Sequence, residues 1–236
     1  MFCTDTYEPR VTDYNRTGRL NFEAMLQIIE NTANHHTIAA HDKLVNGNIA
    51  WVLADWRVAI KERPTEGQKL HVRTWVRGRA RAAAMPRDFL VTGDDGQEFF
   101  RANARFALVD LKTRRLERIT EELLEAYGPE NEMAFASEAP RLRAPEEFDF
   151  AEPLILRRSD MDYNGHVHNT RYITFAQEAL PEEDYREDAF SSFRIVCASS
   201  VEAGSHPEIR RTALENGWLF TICSEGHVCT LIQLLK

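Results

Sequence analysis

The chain has 236 residues, of which 43% are hydrophobic, 10% aromatic and 28% charged. That is enough apolar material for one or two packed domains and too much for a disordered chain. A formal net charge of −8 at pH 7 excludes nucleic-acid binding over the whole surface, because neutralising phosphates needs concentrated Lys and Arg.

No stretch approaches the roughly 18 apolar residues of a membrane span, and Met1-Phe2-Cys3-Thr4-Asp5 is no cationic-then-apolar leader, so a cytoplasmic protein is expected. Cys3, Cys197, Cys223 and Cys229 form no C-x-x-C pair and read as reduced thiols.

From Asn21 to His36, Phe22, Met25, Leu26, Ile29, Thr32 and Ala33 follow the three-and-four spacing of an amphipathic helix with Asn21 as its N-cap. Strands are expected over Ile49 to Lys61, Gln68 to Val76, Arg87 to Thr92 and Phe99 to Asp110. Arg73, Arg77, Arg79 and Arg81 recur at even spacing, so on a strand they share one face. Such a face is either solvated or a docking site for an acidic partner or a phosphate.

A short helix near Glu121 to Tyr127 leads into a Pro-rich connector. The division is therefore an N-terminal module over 1–125, a linker over 126–152 and a C-terminal module over 153–236. In the second half, Leu154 to Arg158, Phe193 to Glu202, Trp218 to Cys223 and Val228 to Leu235 read as strands. Asn169 to Leu180 reads as a helix stopped by Pro181. Asp13-Tyr14-Asn15 ahead of the first long helix echoes Asp162-Tyr163-Asn164 ahead of the second, and with the repeated order of elements this indicates a tandem duplication. The fold class is α+β: twice over, a long helix wrapped by a curved antiparallel sheet.

The densest set of functional groups is Ser159-Asp160-Met161-Asp162-Tyr163-Asn164-Gly165-His166-Val167-His168-Asn169. It precedes a helix, whose first N–H groups lack intrahelical partners and present partial positive charge. Asp and Asn also serve as turn formers and caps, and residue types alone do not choose between the two uses. His166 and His168 at i, i+2 lack the i, i+4 spacing of a helical metal site, so no metal and no cofactor is expected.

This segment, running on through Thr170-Arg171-Tyr172-Ile173 to Glu178, resembles the signature of the plant and bacterial acyl-acyl-carrier-protein thioesterases. More loosely it resembles the D-x-D-x-x-G motif of hotdog acyl-CoA thioesterases. Trp51-Val52-Leu53 through Trp56, Pro64 through Gly67, Thr74-Trp75 and Arg87-Asp88-Phe89 resemble the N-terminal half of the same family. The resemblance implies a tandem double hotdog with its active site in the C-terminal module, hydrolysing fatty-acyl thioesters of acyl carrier protein, as a monomer or homodimer. It places catalytic roles on Asp162, Asn164 and His166.

The family's further acidic residue falls by ungapped counting on Ser200, with Glu202 two residues on as the alternative. The backbone N–H groups of Val167 and His168 are the candidate oxyanion donors. Arg77, Arg79 and Arg81 are candidates for docking the carrier or its phosphopantetheine. The resemblance also implies an apolar acyl channel against the first long helix, which Met25, Leu26, Ile29, Thr32 and Ala33 can line, although such a stripe is first of all core. Asp162 can act as general base or attack the thioester directly. Two other readings stay open: an acyl-CoA thioesterase of the same fold, and a non-catalytic acyl-binding protein, which Ser200 in place of the acid suggests.

Overall fold

The computed structural model describes residues 1–42, 48–78 and 84–236. They form two compact units, Met1–Glu138 and Ala139–Lys236.

In the first unit, β1 (Cys3–Tyr7) precedes α1 (Phe22–Ala39), and β2 (Ile49–Ile60), β3 (Leu70–Val76), β4 (Ala84–Thr92), β5 (Glu98–Asp110) and the short β6 (Arg115–Leu116) follow, then α2 (Glu121–Ala126). The antiparallel sheet runs β1-β3-β4-β5-β2, with β6 beside β5. Asn21 caps α1 as its position predicts, its side chain accepting from the Ala24 N–H at 2.7 Å. Met25, Leu26, Ile29, Thr32 and Ala33 are closed to solvent on the helix face that meets the sheet. Removing each of the large apolar side chains from water contributes about 1.5–3 kcal/mol.

Residues 129–138 are strapped across the outer face of this sheet. Arg73 pairs with Glu132 at 2.5 Å, Arg77 with Glu138 at 2.7 Å, and Arg101 donates to the Ala134 carbonyl at 2.9 Å.

In the second unit, β7 (Phe150–Pro153), α3 (Arg171–Glu178), α4 (Glu182–Glu187), β8 (Ser192–Cys197), β9 (Glu208–Leu214), β10 (Gly217–Ser224) and β11 (His227–Leu235) follow in order. The antiparallel sheet runs β8-β11-β10-β9-β7, and α3 lies against β11 with Tyr172, Ile173, Phe175 and Ala176 buried. Each unit is thus a helix laid on an antiparallel sheet, and the chain is a tandem double hotdog. Helix α3 has 8 residues against 18 in α1.

Two strand expectations change. Leu154 to Arg158 is not a strand: the strand is β7, its register against β9 ends at Pro153↔Glu208, and Ile155 is 81% exposed. Beyond a last bond from the Leu154 N–H to Pro207 O, the chain turns into a 3-10 helix over Arg158–Asp160. The strand expected to reach Glu202 stops at Cys197, because the N–H groups of Ala198 and Ser199 both donate to Cys229 O and deflect the chain. Ser200 and Glu202 therefore do not share a strand face. Two strands with polar sequences, β1 and β9, were not expected.

Candidate active site

Asp162 opens a tight turn closed by the Gly165 N–H donating to Asp162 O at 3.1 Å, while the Asp162 N–H donates to His166 O at 2.7 Å. Gly165 sits at φ +79°, a conformation glycine adopts without a Cβ penalty. The carboxylate completes the turn: Oδ1 accepts the main-chain N–H of Asn164 at 2.8 Å and of His166 at 3.0 Å. Among the described residues Oδ2 receives only the Asn164 side-chain amide, at 3.3 Å, which leaves this oxygen with acceptor capacity to spare. Asp162 and His166 are half-buried, and Tyr163 at the tip is 98% exposed.

Asp160, the first acid of the segment, has a different place. It is 5% exposed, its Oδ2 accepts the Arg157 N–H at 2.7 Å and its carbonyl accepts the His168 N–H at 2.8 Å, so it ties the 3-10 helix to the far side of the turn. His168 meets the Thr170 hydroxyl through Nδ1 at 3.0 Å, at the entrance to α3.

The segment 201–203 lies beside the turn. The Val167 N–H donates to Val201 O at 2.9 Å and the Ala203 N–H to Gly165 O at 3.0 Å, with His166 and Glu202 bridged between them. That is the non-hydrogen-bonded kind of antiparallel pair, whose side chains stand close together on one face. The buried Val201 N–H also donates to the hydroxyl of Tyr172 on α3, at 3.3 Å. Between Ser200 and Glu202 the structure therefore sets Glu202 opposite His166 and leaves Ser200 exposed outside the ladder.

The oxyanion expectation is corrected: the N–H groups of Val167 and His168 are spent on Val201 O and Asp160 O. The N–H of Asn169, the next residue, has no such bond among the described residues. Arg77 is not a free cation either, its Nε lying 3.5 Å from Asp88 and its Nη1 2.7 Å from Glu138. Arg79 and Arg81 lie outside the described residues.

The first unit repeats the turn with an amide in place of the carboxylate. Asn15 Oδ1 accepts the N–H groups of Thr17 and Arg19 at 3.0 Å each, the Asn15 N–H donates to Arg19 O at 2.8 Å, and the Gly18 N–H to Asn15 O at 3.0 Å. Asp13 bonds to Arg10 and Asn21 as Asp160 bonds to Arg157 and His168, Gly18 has φ +72°, and Arg19 bridges Thr65 as His166 bridges Glu202. The equivalence pairs Asp13 with Asp160 and Asn15 with Asp162, so the Asp-Tyr-Asn echo in the sequence is two residues out of register.

Comparison with known proteins gives these two turns a context. The acyl-ACP thioesterase N-terminal domain matches residues 2–127 and the acyl-ACP thioesterase C-terminal domain residues 144–231. The chain belongs to the acyl-ACP thioesterase family. Among curated relatives, oleoyl-acyl carrier protein thioesterase 2 of Arabidopsis thaliana is 29% identical over 147 residues, 58% of this chain and 40% of that protein. The dodecanoyl-[acyl-carrier-protein] hydrolase of Umbellularia californica is 29% identical over 155 residues, 63% of this chain and 40% of its own length. The match thus spans about 40% of these relatives, whose names place them in chloroplasts.

Two solved structures share the fold over nearly the whole chain. The 12:0-ACP thioesterase of Umbellularia californica superposes with a TM-score of 0.86 at 20% identity, covering 99% of this chain and 96% of that one. An acyl-ACP thioesterase of Bacteroides thetaiotaomicron gives 0.87 at 21% identity, covering 99% and 97%.

Proposed function

We propose that this chain hydrolyses fatty-acyl-acyl-carrier-protein thioesters to free fatty acid and carrier protein, with Asp162, Asn164, His166 and Glu202 as its reactive set. The observation that carries the reading is the pair of turns: Asn15 builds the first with a neutral amide, so the negative charge at Asp162 is surplus to folding and is held for chemistry. Family membership and the relatives' names support the thioester class.

In this reading Asp162 Oδ2 takes a proton from a water as that water adds to the thioester carbonyl. Asn164 holds the carboxylate from the side, and the Asn169 N–H at the α3 entrance is available to the developing oxyanion. Collapse of the tetrahedral adduct breaks the C–S bond, and the thiolate leaves with a proton from His166, whose imidazolium Glu202 steadies across the bridge. Direct attack by Asp162 on the carbonyl, giving an anhydride that water then opens, uses the same groups. Single turnover in heavy-oxygen water detects an anhydride opened at the Asp162 carbon, since label enters Asp162 only by that route.

The test is thiol release from acyl carrier protein and from CoA thioesters over a range of chain lengths, with Asp162→Asn as control. Loss of turnover by a factor of about 100 or more is expected for the variant. Retention of the wild-type rate would remove Asp162 from the chemistry, and tight binding of acyl thioester without thiol release would make the chain a binding protein. A faster steady-state rate on CoA thioesters than on carrier protein would move the substrate to the former.

A further inference from the structure

The first unit's turn shows what the fold needs at each position, and the acid and base are not all that distinguishes the second. With Asp13 matched to Asp160 and Asn21 to His168, Arg158 stands where the first unit has Val11, and Arg171 where it has Ala24. Arg157 matches Arg10. Three arginines thus lie within nine residues of Asp162 along the chain, whereas the first unit's additional cations, Arg16 and Arg19, sit on the turn itself.

Arg157 and Arg158 are exposed, and neither guanidinium is paired with a carboxylate among the described residues. Arg171 lies 3.8 Å from Asp160 through Nε and donates to Ser159 O at 3.3 Å through Nη2, which holds it against the 3-10 helix carrying the other two. In a chain of net charge −8, two uncompensated arginines four and five residues before the reactive carboxylate attract an anion to that place. The expected docking cation Arg77, by contrast, is neutralised within its own unit.

Resting on the proposed thioester hydrolysis, we infer that Arg157 and Arg158 bind the phosphate of the 4′-phosphopantetheine arm that carries the acyl group. Guanidinium forks match phosphate oxygens in geometry and stay charged at every working pH. This phosphate is common to carrier-protein and CoA thioesters, so its capture serves the reaction whichever the larger group is.

Acyl-phosphopantetheine and acyl-pantetheine differ by that phosphate alone, and the experiment compares their kcat/KM at the acyl length turned over fastest. The wild type is expected to favour the phosphorylated thioester by about tenfold, through KM rather than kcat, as for one or two charge-assisted contacts in water. In Arg157→Gln/Arg158→Val, which gives residue 158 the side chain of Val11, the preference shrinks to about twofold or less, and Arg158→Lys keeps part of it. An undiminished preference in the double variant, or none in the wild type, overturns the inference. Calorimetric titration with free phosphopantetheine and pantetheine provides a readout independent of turnover: phosphate-dependent affinity lost in the double variant supports the assignment, and equal affinity of the wild type for both refutes it. A chain that hydrolyses no thioester would end the proposed function, while the titration would still decide this point.

Discussion

An amide and a carboxylate are nearly the same size, and in a turn whose Oδ1 accepts two main-chain N–H groups they do the same structural work. Asn15 demonstrates this inside the same molecule, so Asp162→Asn is expected to leave the melting temperature within about 2 °C of wild type, a shift of a few tenths of a kcal/mol, while abolishing thiol release. A large drop in melting temperature would mean the charge serves folding. From the sequence the accessory position fell on Ser200 by ungapped counting, with Glu202 as the alternative if the strand register differed, because the strand was expected to run through both. The structure shows that Cys229 O draws off two successive N–H groups and ends β8 early, which no local pattern announces. Glu202→Gln is therefore expected to lower kcat by about 10- to 100-fold, as for loss of a group that steadies a proton-transferring base. Ser200→Ala should leave the rate alone, and the reverse ranking in parallel thiol-release assays would return the accessory role to Ser200. The clustering of polar groups in one segment was legible; the pairing of His166 with Glu202, 36 residues on, was not.

Among the elements, the strands with strong apolar alternation were legible, and β2, β3 and β5 begin and end within about two residues of their expected limits. β1 and β9 were missed because their sequences, Cys3-Thr4-Asp5-Thr6-Tyr7 and Glu208-Ile209-Arg210-Arg211-Thr212-Ala213-Leu214, are polar, and in β9 only Ile209 is buried. Backbone pairing with a neighbour makes these strands, and a single-sequence pattern does not report it. Two glycines separate backbone need from steric need. At Gly165 a Cβ would meet nothing within 4 Å, so Gly165→Ala costs only the left-handed conformation, about 1 kcal/mol. At Gly217, which opens β10, a Cβ would fall 2.0 Å from Leu234 O on β11. Relieving that overlap requires β10 and β11 to part, and Gly217→Ala should cost about 3 kcal/mol or more. Urea unfolding of both variants checks the order; equal costs would place the constraint at Gly217 in the backbone angles alone.

At the scale of the whole molecule, the duplication leaves one unit with the carboxylate turn at Asp162 and the other with a charge buried in its core. Arg87 is 2% exposed, and its Nη1 donates to His36 Nδ1 at 2.8 Å and to Thr74 Oγ1 at 3.4 Å. Beside it Tyr127 donates to Asp42 at 2.6 Å. Burial and the adjacent guanidinium drive His36 down to about 4 from its ordinary 6.5, and burial brings Arg87 down to about 10. The neutral imidazole is what the cation needs, since a protonated ring could not accept its hydrogen bond. Because the unfolded chain binds the His36 proton more readily, the associated stability is complete above pH 6.5 and is lost as pH falls towards 4, by about 3 kcal/mol at most. Over the upper part of this range, down to the pI near 5.5, the net charge of −8 shrinks towards zero, and the relief of self-repulsion favours the folded state; below it the charge grows positive and repulsion returns. A fall in stability between pH 6.5 and 5.5 consequently runs against the global trend and points to a buried group. His36→Gln offers an amide acceptor that does not titrate, so its unfolding free energy should lie below wild type at pH 7.5 yet change less between pH 6.5 and 4.5. An equal slope in the two proteins would show that the acid sensitivity originates elsewhere.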